Sequence, residues 1–233
     1  MINYRIDNRH HIIGAGVQAH GGMWPSSASN WWEAGGATGC VAAYQPKGAA
    51  SLAASYSNLV NPGTYDLADI ATPPTFDAST GWTFNSTQGV GFDTGVMAAN
   101  MTLVVRISNA AIGKYSTISP IGNTGVGNFI YSAAATSGAQ RFVHSTGSAY
   151  TAGDGSAGTS NGVLAVTKDA GYIDGASVIN LAGTGASNNA TTKIGSRGDT
   201  AAKFSGNILA VAIYDNTLDA ATVAAVSAAM SLL

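Results

Sequence analysis

Glutamate is all but missing from this chain, with a single copy, Glu33, in 233 residues. Cysteine is as scarce: Cys40 stands alone, which excludes an internal disulfide, and no Cys/His cluster has the spacing of a zinc site. Charge of either sign is sparse. Asp, Glu, Lys and Arg make up 9% of the residues, against roughly 25% in an average soluble domain. The basic residues are scattered, which argues against nucleic-acid binding, because that requires clustered Lys and Arg. No apolar run approaches the roughly 20 residues of a membrane-spanning helix, so no membrane partner is expected. Residues 1–20 carry two Arg and three His and no apolar stretch, so no secretory leader is visible and synthesis without export is the expectation. A neutral surface of Ser, Thr, Asn, Gly and Ala does little to keep molecules apart. It suits a protein packed against copies of itself or against a shell, and it is equally common in extracellular and viral β-proteins.

What is present is a succession of short β-like runs broken by Gly, Asn, Ser and Pro: "CVAAYQP" (40–46), "GWTFN" (81–85), "GVGFDTG" (89–95), "MTLVVRIS" (101–108), "STISPIG" (116–122), "NFIYSAA" (128–134), "QRFVHS" (140–145), "VLAVTK" (163–168), "GYIDG" (171–175), "TTKIGS" (191–196) and "FSGNILAVAIYD" (204–215). Many short strands with turn signals between them predict a sandwich or barrel. Met101, Leu103, Val105 and Ile107 alternate onto one face, the pattern of a half-buried strand. "ILAVAIY" is apolar on both faces, which predicts a mid-sheet strand covered on both sides. "VLAVTKDAGYIDG" reads as a hairpin turning at 168–171, followed by a second turn at Asp174-Gly175. The Ala-rich stretch 48–60 suits a short helix, and 61–80, with half of the six prolines, reads as a long ordered loop. Residues 219–233 form a helix with Asp219 as N-cap, Leu218 and Val223 as a hydrophobic staple, and an apolar stripe of Val223, Val226, Met230 and Leu233.

The closing segment "TKIGSRGDTAAKFSGNILAVAIYDNTLDAATVAAV" resembles that of laminin-G-like, concanavalin A-like lectin/glucanase domains. The positions that carry the resemblance are Ile194-Gly195, Phe204, Gly206, Ile208, Ile213-Tyr214 and Leu218. "GYIDG" is similar to that family's small hairpin, and "GFDTG" with "MTLVVRI" to its early strand pair. The resemblance covers about residues 40–233. Residues 40–67 and 74–85 also resemble laminin-G-like domains encoded in tailed-phage genomes. The resemblance implies an all-β fold, a two-sheet antiparallel jelly-roll sandwich ending in a helix, preceded by an N-terminal arm over 1–39. It does not choose a function, because this fold hosts enzymes, lectins and structural modules.

Chemistry finds little support. Glycosidases need two carboxyl groups flanking the scissile bond, and the glucanases of the resembling family set theirs along one strand as E-x-D-x-x-E. Here no D-x-D or E-x-D pair falls on an expected strand, and Asp66 and Asp69 lie in the Pro-rich loop. Glu33, in "NWWEAGG", reads as a solvated carboxylate near a turn, so no catalytic residue is assigned and no enzyme is expected. His10, His11 and His20 lack the carboxylate or Cys that would complete a metal set. Asp154 in "GDGSAG" and Asp199 in "SRGDT" sit in expected loops, where the resemblance admits calcium. No other cofactor is implied.

Three of the four tryptophans, Trp24, Trp31 and Trp32, precede the expected sandwich. With Tyr4, Ile12 and Ile13 they offer apolar area for an assembly interface. Alternatively, Trp31 and Trp32 close one end of the domain's own core. Two functions follow. One is a non-enzymatic virion surface protein of a tailed phage, a capsid decoration protein, head fibre or tail-associated module, self-associating as a homo-oligomer and docking on a capsid or tail protein. The other is a carbohydrate-binding module for host recognition, with Tyr115, Tyr131, Tyr150 and Tyr172 stacking on glycans.

Overall fold

Each apolar run named above folds as a strand. The computed structural model describes residues 30–70, 72–85, 87–97, 100–111, 118–121, 127–131, 139–145, 150–157, 159–181, 188–195 and 204–233. After a short 3₁₀ segment at Trp31–Gly36, the chain runs through β1 (Cys40–Tyr44), the one-turn helix α1 (Leu52–Ser55), β2 (Ala68–Asp69), β3 (Thr75–Asp77), β4 (Gly81–Asn85), β5 (Val90–Met97), β6 (Thr102–Ser108) and β7 (Ile118–Ile121). It continues through β8 (Gly127–Tyr131), β9 (Ala139–Ser145), β10 (Tyr150–Ala157), β11 (Gly162–Val166), β12 (Ala170–Ile173), β13 (Ala176–Asn180), β14 (Asn188–Ile194), β15 (Ser205–Tyr214) and the helix α2 (Ala220–Ser231).

The strands form two sheets. The eight-stranded sheet has the order β13-β12-β11-β6-β15-β4-β3, with β1 also paired to β15; the seven-stranded sheet has the order β10-β9-β8-β7-β14-β5-β2. Pairing between the named strands is antiparallel in both. Strand β15 is the spine of the first sheet. Its first half pairs with β4 (Ile208 opposite Trp82) and its second half with β1 (Ala212 opposite Ala43). A bulge between Ile208 and Ala210 reverses the alternation. Ile208, Val211 and Ile213 therefore all face one core, while Ala210, Ala212 and Tyr214 face the other.

The first core lies between the sheets. Trp82, Phe84, Leu103, Val105, Ile107, Leu164, Val166 and Phe204 meet Val90, Phe142 and Ile194 of the seven-stranded sheet. Trp82 is fully buried, and its indole donates to Ser55 Oγ at 2.7 Å, which satisfies its one polar atom. The second core lies on the outer face of the eight-stranded sheet, where Val104, Val163, Ala165, Ala210, Ala212 and Tyr214 meet Val223, Val226 and Met230 of α2. The helix is capped as expected: Asp219 Oδ1 accepts from Thr222 N at 2.7 Å. At its C-terminal end, Lys47 Nζ and Arg106 Nη1 donate to Leu233 O at 2.6 and 2.5 Å, placing cations where the helix dipole is negative.

Several expectations are corrected. Strand β6 is not half-buried, because Val104 on its other face is covered by the helix-side core. The 61–80 stretch contains β2 and β3. Asp154 stands within β10, opposite Arg141, and not in a loop, because pairing with β9 draws this Gly-rich segment into the sheet. The compact unit begins at Trp31 rather than at Cys40, since Trp32 and Ala37 belong to the helix-side core. The hairpin β11–β12 and the turn after β12 form as read, the latter with positive φ at Asp174 (48°) and Gly175 (80°).

Candidate functional site

The residues that opened the functional question, "NWWEAGG", fold into the 3₁₀ segment, which breaks its helical geometry at Ala34 and Gly35. The break is steric in origin. Gly35 has φ +69°, and a Cβ on it would sit 2.6 Å from Ala225 Cβ of α2, so only glycine lets the segment lie against the helix. The two indoles meet edge to face, 5.3 Å between centroids at 85°. Trp32 is 7% exposed. Its carbonyl accepts from the Tyr214 hydroxyl at 2.8 Å, tying the segment to β15. Trp31 is half-buried and donates from Nε1 to Gln45 Oε1 at 3.1 Å. Of the two alternatives for these tryptophans, the structure places Trp32 in the domain's own core and packs Trp31 against it. Tyr4, Ile12, Ile13 and Trp24 lie outside the described residues.

Between this segment and the loop after α1 lies a cleft of about 390 Å³, lined by Trp32, Glu33, Gly36, Ala37, Thr38, Gly39, Cys40 and Val60. Its floor is apolar and its rim carries Glu33 and Thr38, both exposed. Gly39 shapes one wall. It has φ +75°, a Cβ there would meet Asp215 Oδ1 at 2.5 Å, and its carbonyl accepts from Asp215 N at 2.9 Å. Burial pushes the Cys40 thiol up to about 12, with the charges of Glu33 and Asp215 adding to the shift. Cys40 is thus a neutral thiol at physiological pH rather than a nucleophile. Burial likewise raises the Tyr214 phenol, with smaller contributions from Cys40 and Glu33. Glu33 is therefore near enough to both side chains for its charge to be felt in the cleft.

The opposite wall depends on Asn58, a residue with no signature in the sequence. It is fully buried and uses its whole amide. Oδ1 accepts from Ala43 N and Val60 N at 3.0 and 3.1 Å; Nδ2 donates to Val41 O and Thr64 O at 2.9 and 2.8 Å. Asn58 thereby stands in for a neighbouring strand along β1 and fixes Val60 at the cleft. Asp66 reinforces the loop, accepting from Asn58 N at 2.7 Å and Gly63 N at 3.1 Å. Asp69 accepts from the Tyr56 hydroxyl at 2.7 Å. These two aspartates brace a loop.

Tyr172 is 5% exposed, with its side chain packed in the helix-side core, so no ring face is open for stacking. Tyr131 and Tyr150 fall on β8 and β10, and Tyr115 and Asp199 lie outside the described residues. Among the described residues no three His, Cys, Asp or Glu side chains are grouped to hold a metal ion. Also among these residues, no helix is long and apolar enough to cross a membrane.

The fold is a two-sheet antiparallel β-sandwich that ends in a helix. The chain is similar in structure to domain 4 of AbnA, an extracellular GH43 arabinanase from Geobacillus stearothermophilus, solved in complex with arabinotriose. The TM-score is 0.53 at 17% identity, over 81% of this chain and 98% of that one. It is also similar to botulinum neurotoxin type C, whose cell entry depends on two ganglioside molecules, with TM-score 0.55, 12% identity, and 82% and 51% coverage. A third similar structure is the sialidase of Trypanosoma rangeli, with TM-score 0.56, 14% identity, and 83% and 33% coverage. This chain thus spans nearly all of the arabinanase domain, half of the toxin chain and a third of the sialidase. No protein-family model matches the sequence, and no curated protein sequence matches it.

Proposed function

We propose that this protein is a non-enzymatic carbohydrate-binding module. The observation that supports it is the shared sandwich: four-fifths of the chain superposes on domains from proteins that bind an arabinose oligosaccharide or depend on gangliosides. The scarcity of carboxyl groups favours binding over cleavage, since glycoside hydrolysis requires a positioned pair. The test is a glycan array of the full chain, with calcium and with a chelator. Saccharide binding that survives Glu33→Gln as retained affinity or reduced affinity, without product release, fits the reading. An array with no binding under either condition overturns it. Loss of binding on chelation would bring calcium into the site.

A second role is favoured by the 9% charge content and by the aromatic residues ahead of the sandwich. In that role the module sits on the surface of a tailed-phage virion, self-associated or docked through Tyr4, Ile12, Ile13 and Trp24. Because Trp31 and Trp32 belong to the folded unit, the test is removal of residues 1–30 only. A truncated protein that incorporates into particles as well as the parent, and a parent that sediments as a monomer at high concentration, would rule this role out.

A further inference from the structure

We infer that Asn161 is a site of spontaneous covalent modification, where the folded protein converts an amide to a carboxylate and yields two products of different structure. Asn161-Gly162 is the chain's one Asn-Gly step. A glycine has no side chain to shield its nitrogen from the preceding carboxamide, so ring closure between the two is unhindered. The fold cannot trade that glycine away. Gly162 has φ +136°, and a Cβ on it would lie 2.9 Å from Asp174 Oδ1. Asp174 is itself fixed, because its Oδ1 accepts from Val163 N at 2.8 Å and its N donates to Val163 O at 2.7 Å. The start of β11 therefore demands glycine directly after an exposed asparagine.

The surroundings of the amide favour the reaction. Asn161 Oδ1 accepts from Asn109 N at 3.1 Å. That bond draws electron density from Cγ and stabilises the oxyanion that forms on Oδ1 when Cγ is attacked. Asn109 lies just past the end of β6 with φ +52°, and the next residue, Ala110, donates from N to Ser160 O at 2.9 Å, so the donor is held against the loop it serves. Asn161 Nδ2 donates to Ser160 Oγ at 3.0 Å, which sets a hydroxyl beside the nitrogen that must leave. In the reaction Gly162 N bonds to Asn161 Cγ and gives up its proton. The Cγ–Nδ2 bond breaks, and ammonia leaves carrying that proton, with a five-membered succinimide left behind. Water then opens the ring. Opening at Cγ gives aspartate, which keeps an oxygen for Asn109 N. Opening at the main-chain carbonyl gives isoaspartate, in which the chain runs on through the side-chain carbon. The isoaspartate form has one more main-chain carbon where β11 enters the sheet opposite Ile107 of β6, and this draws Ser160 O away from Ala110 N.

The experiment incubates the full chain in mildly alkaline buffer, folded and in urea, and follows its peptides by mass spectrometry, with isoaspartyl methyltransferase and a labelled methyl donor to count isoaspartate. The folded chain is expected to deamidate at Asn161 within about tenfold of the unfolded rate, a barrier difference of at most about 1.4 kcal/mol. The rate should rise with pH, because the attacking nitrogen must shed its proton. Asn161→Gln, whose longer side chain closes a larger ring slowly, should keep the parent's melting temperature and stay unmodified. The Asp174-Gly175 step is the internal comparison. Its carboxyl is turned to Val163 N, so it should isomerise in urea and not in the folded chain. Once the more acidic forms are separated by ion exchange, the aspartate form should exchange its main-chain hydrogens at Asn109 and Ala110 like the parent, and the isoaspartate form faster. Modification of Asn161 confined to the urea arm would overturn the inference. Isomerisation at Asp174 in the folded chain would show that the surroundings of Asn161 confer no selectivity, and would overturn it too. If the two forms exchange alike, the claim of two structurally different products falls.

Discussion

The two faces of the eight-stranded sheet are built from side chains of different size. The inner face presents Trp82, Phe84, Leu103, Ile107, Leu164 and Ile213 to the second sheet. The outer face presents mostly Ala43, Ala165, Ala210 and Ala212, with Val104, Val163 and the two tyrosines Tyr172 and Tyr214, to the helix side. Strand β15 contributes to both, Ile208, Val211 and Ile213 inward and Ala210, Ala212 and Tyr214 outward, through the bulge between Ile208 and Ala210. Large side chains fill the roughly 10 Å gap between facing sheets. Small ones let an Ala-rich helix and the 3₁₀ segment lie close, to the point that Gly35 has no room for a Cβ beside Ala225. The inner layer is therefore filled. The cleft lined by Trp32, Ala37, Cys40 and Val60 adjoins the outer layer, to which Trp32 and Ala37 belong. The bulk of the large apolar side chains lies on the inner face, and most of the alanines lie on the outer one.

The largest test of that division is a matched pair of substitutions. Trp82→Ala empties the inner layer and leaves Ser55 Oγ without its indole donor. It should cost about 3–5 kcal/mol, in the range of large-to-small aromatic truncations. Ala212→Leu overfills the outer layer at a fully buried position between Ala43 and Val104. It should cost about 1–3 kcal/mol, as inserted methylenes do. Urea unfolding of both variants decides the ordering. An Ala212→Leu cost equal to that of Trp82→Ala would mean that the outer layer is packed as tightly as the inner one.

Asn58 joins the two layers. The loop it pins carries Val60 to the helix-side core, while Leu52, Tyr56, Tyr65 and Leu67 around it pack on the inner core. Asn58→Ala removes four hydrogen bonds and leaves the buried Ala43 N unpaired. A loss of about 2–3 kcal/mol is expected. Because Val60 would be released, Cys40 should also become more reactive toward maleimide. Destabilisation without a change at Cys40 would separate the loop from the cleft.

The elements that sequence reading reached are those whose burial is written into the local pattern. The two-faced apolar run of β15, the hairpin through Asp174-Gly175, and the Asp219 cap with its Val223–Val226–Met230 stripe all form as expected. The elements it did not reach are made by partners distant in the chain. β10, "YTAGDGSA", has the composition of a loop and becomes a strand by pairing with β9. β13 is a largely exposed edge strand, held by β12. The second covered face of β6 depends on where α2 lies, which alternation within β6 cannot encode. At the site, the sequence drew attention to Trp32 and Glu33 but left open whether the indole faced outward or inward. Nothing in it marked Asn58, whose role exists only once the loop closes on β1.

A smaller and opposite effect is expected at Ser227. This residue is 1% exposed on the buried face of α2, and its hydroxyl has no hydrogen-bond partner among the described residues. Its neighbours in the outer layer are mostly alanine and valine, so the hydroxyl is desolvated without return. Ser227→Ala should stabilise the protein by about 1 kcal/mol. The urea midpoint would rise with an unchanged slope. A fall instead would show that the hydroxyl is paired and that the outer layer contains a polar contact the inner layer lacks.

The smallest effect concerns the charge that starts α2. Hydrogen bonds from the Thr222 main chain and then its side chain hold the Asp219 carboxyl below the usual carboxylate range. A depressed folded-state pKa means that the cap's contribution is fully present above the unfolded aspartate value, about 3.9. It is lost as the pH falls through the lower folded value. Asp77 shifts in the same direction through Ser79, so the parent's acid profile carries both groups. Only the difference between parent and variant isolates the helix. Asp219→Asn keeps an oxygen acceptor at the cap and removes the charge. Its melting temperature should lie slightly below the parent's at pH 7, and the two should converge as the pH drops below the carboxylate range. Met230→Ala, an apolar loss in the same helix, should show a deficit that does not depend on pH. If the Asp219→Asn deficit is also independent of pH, the helix is held to the outer face by packing alone.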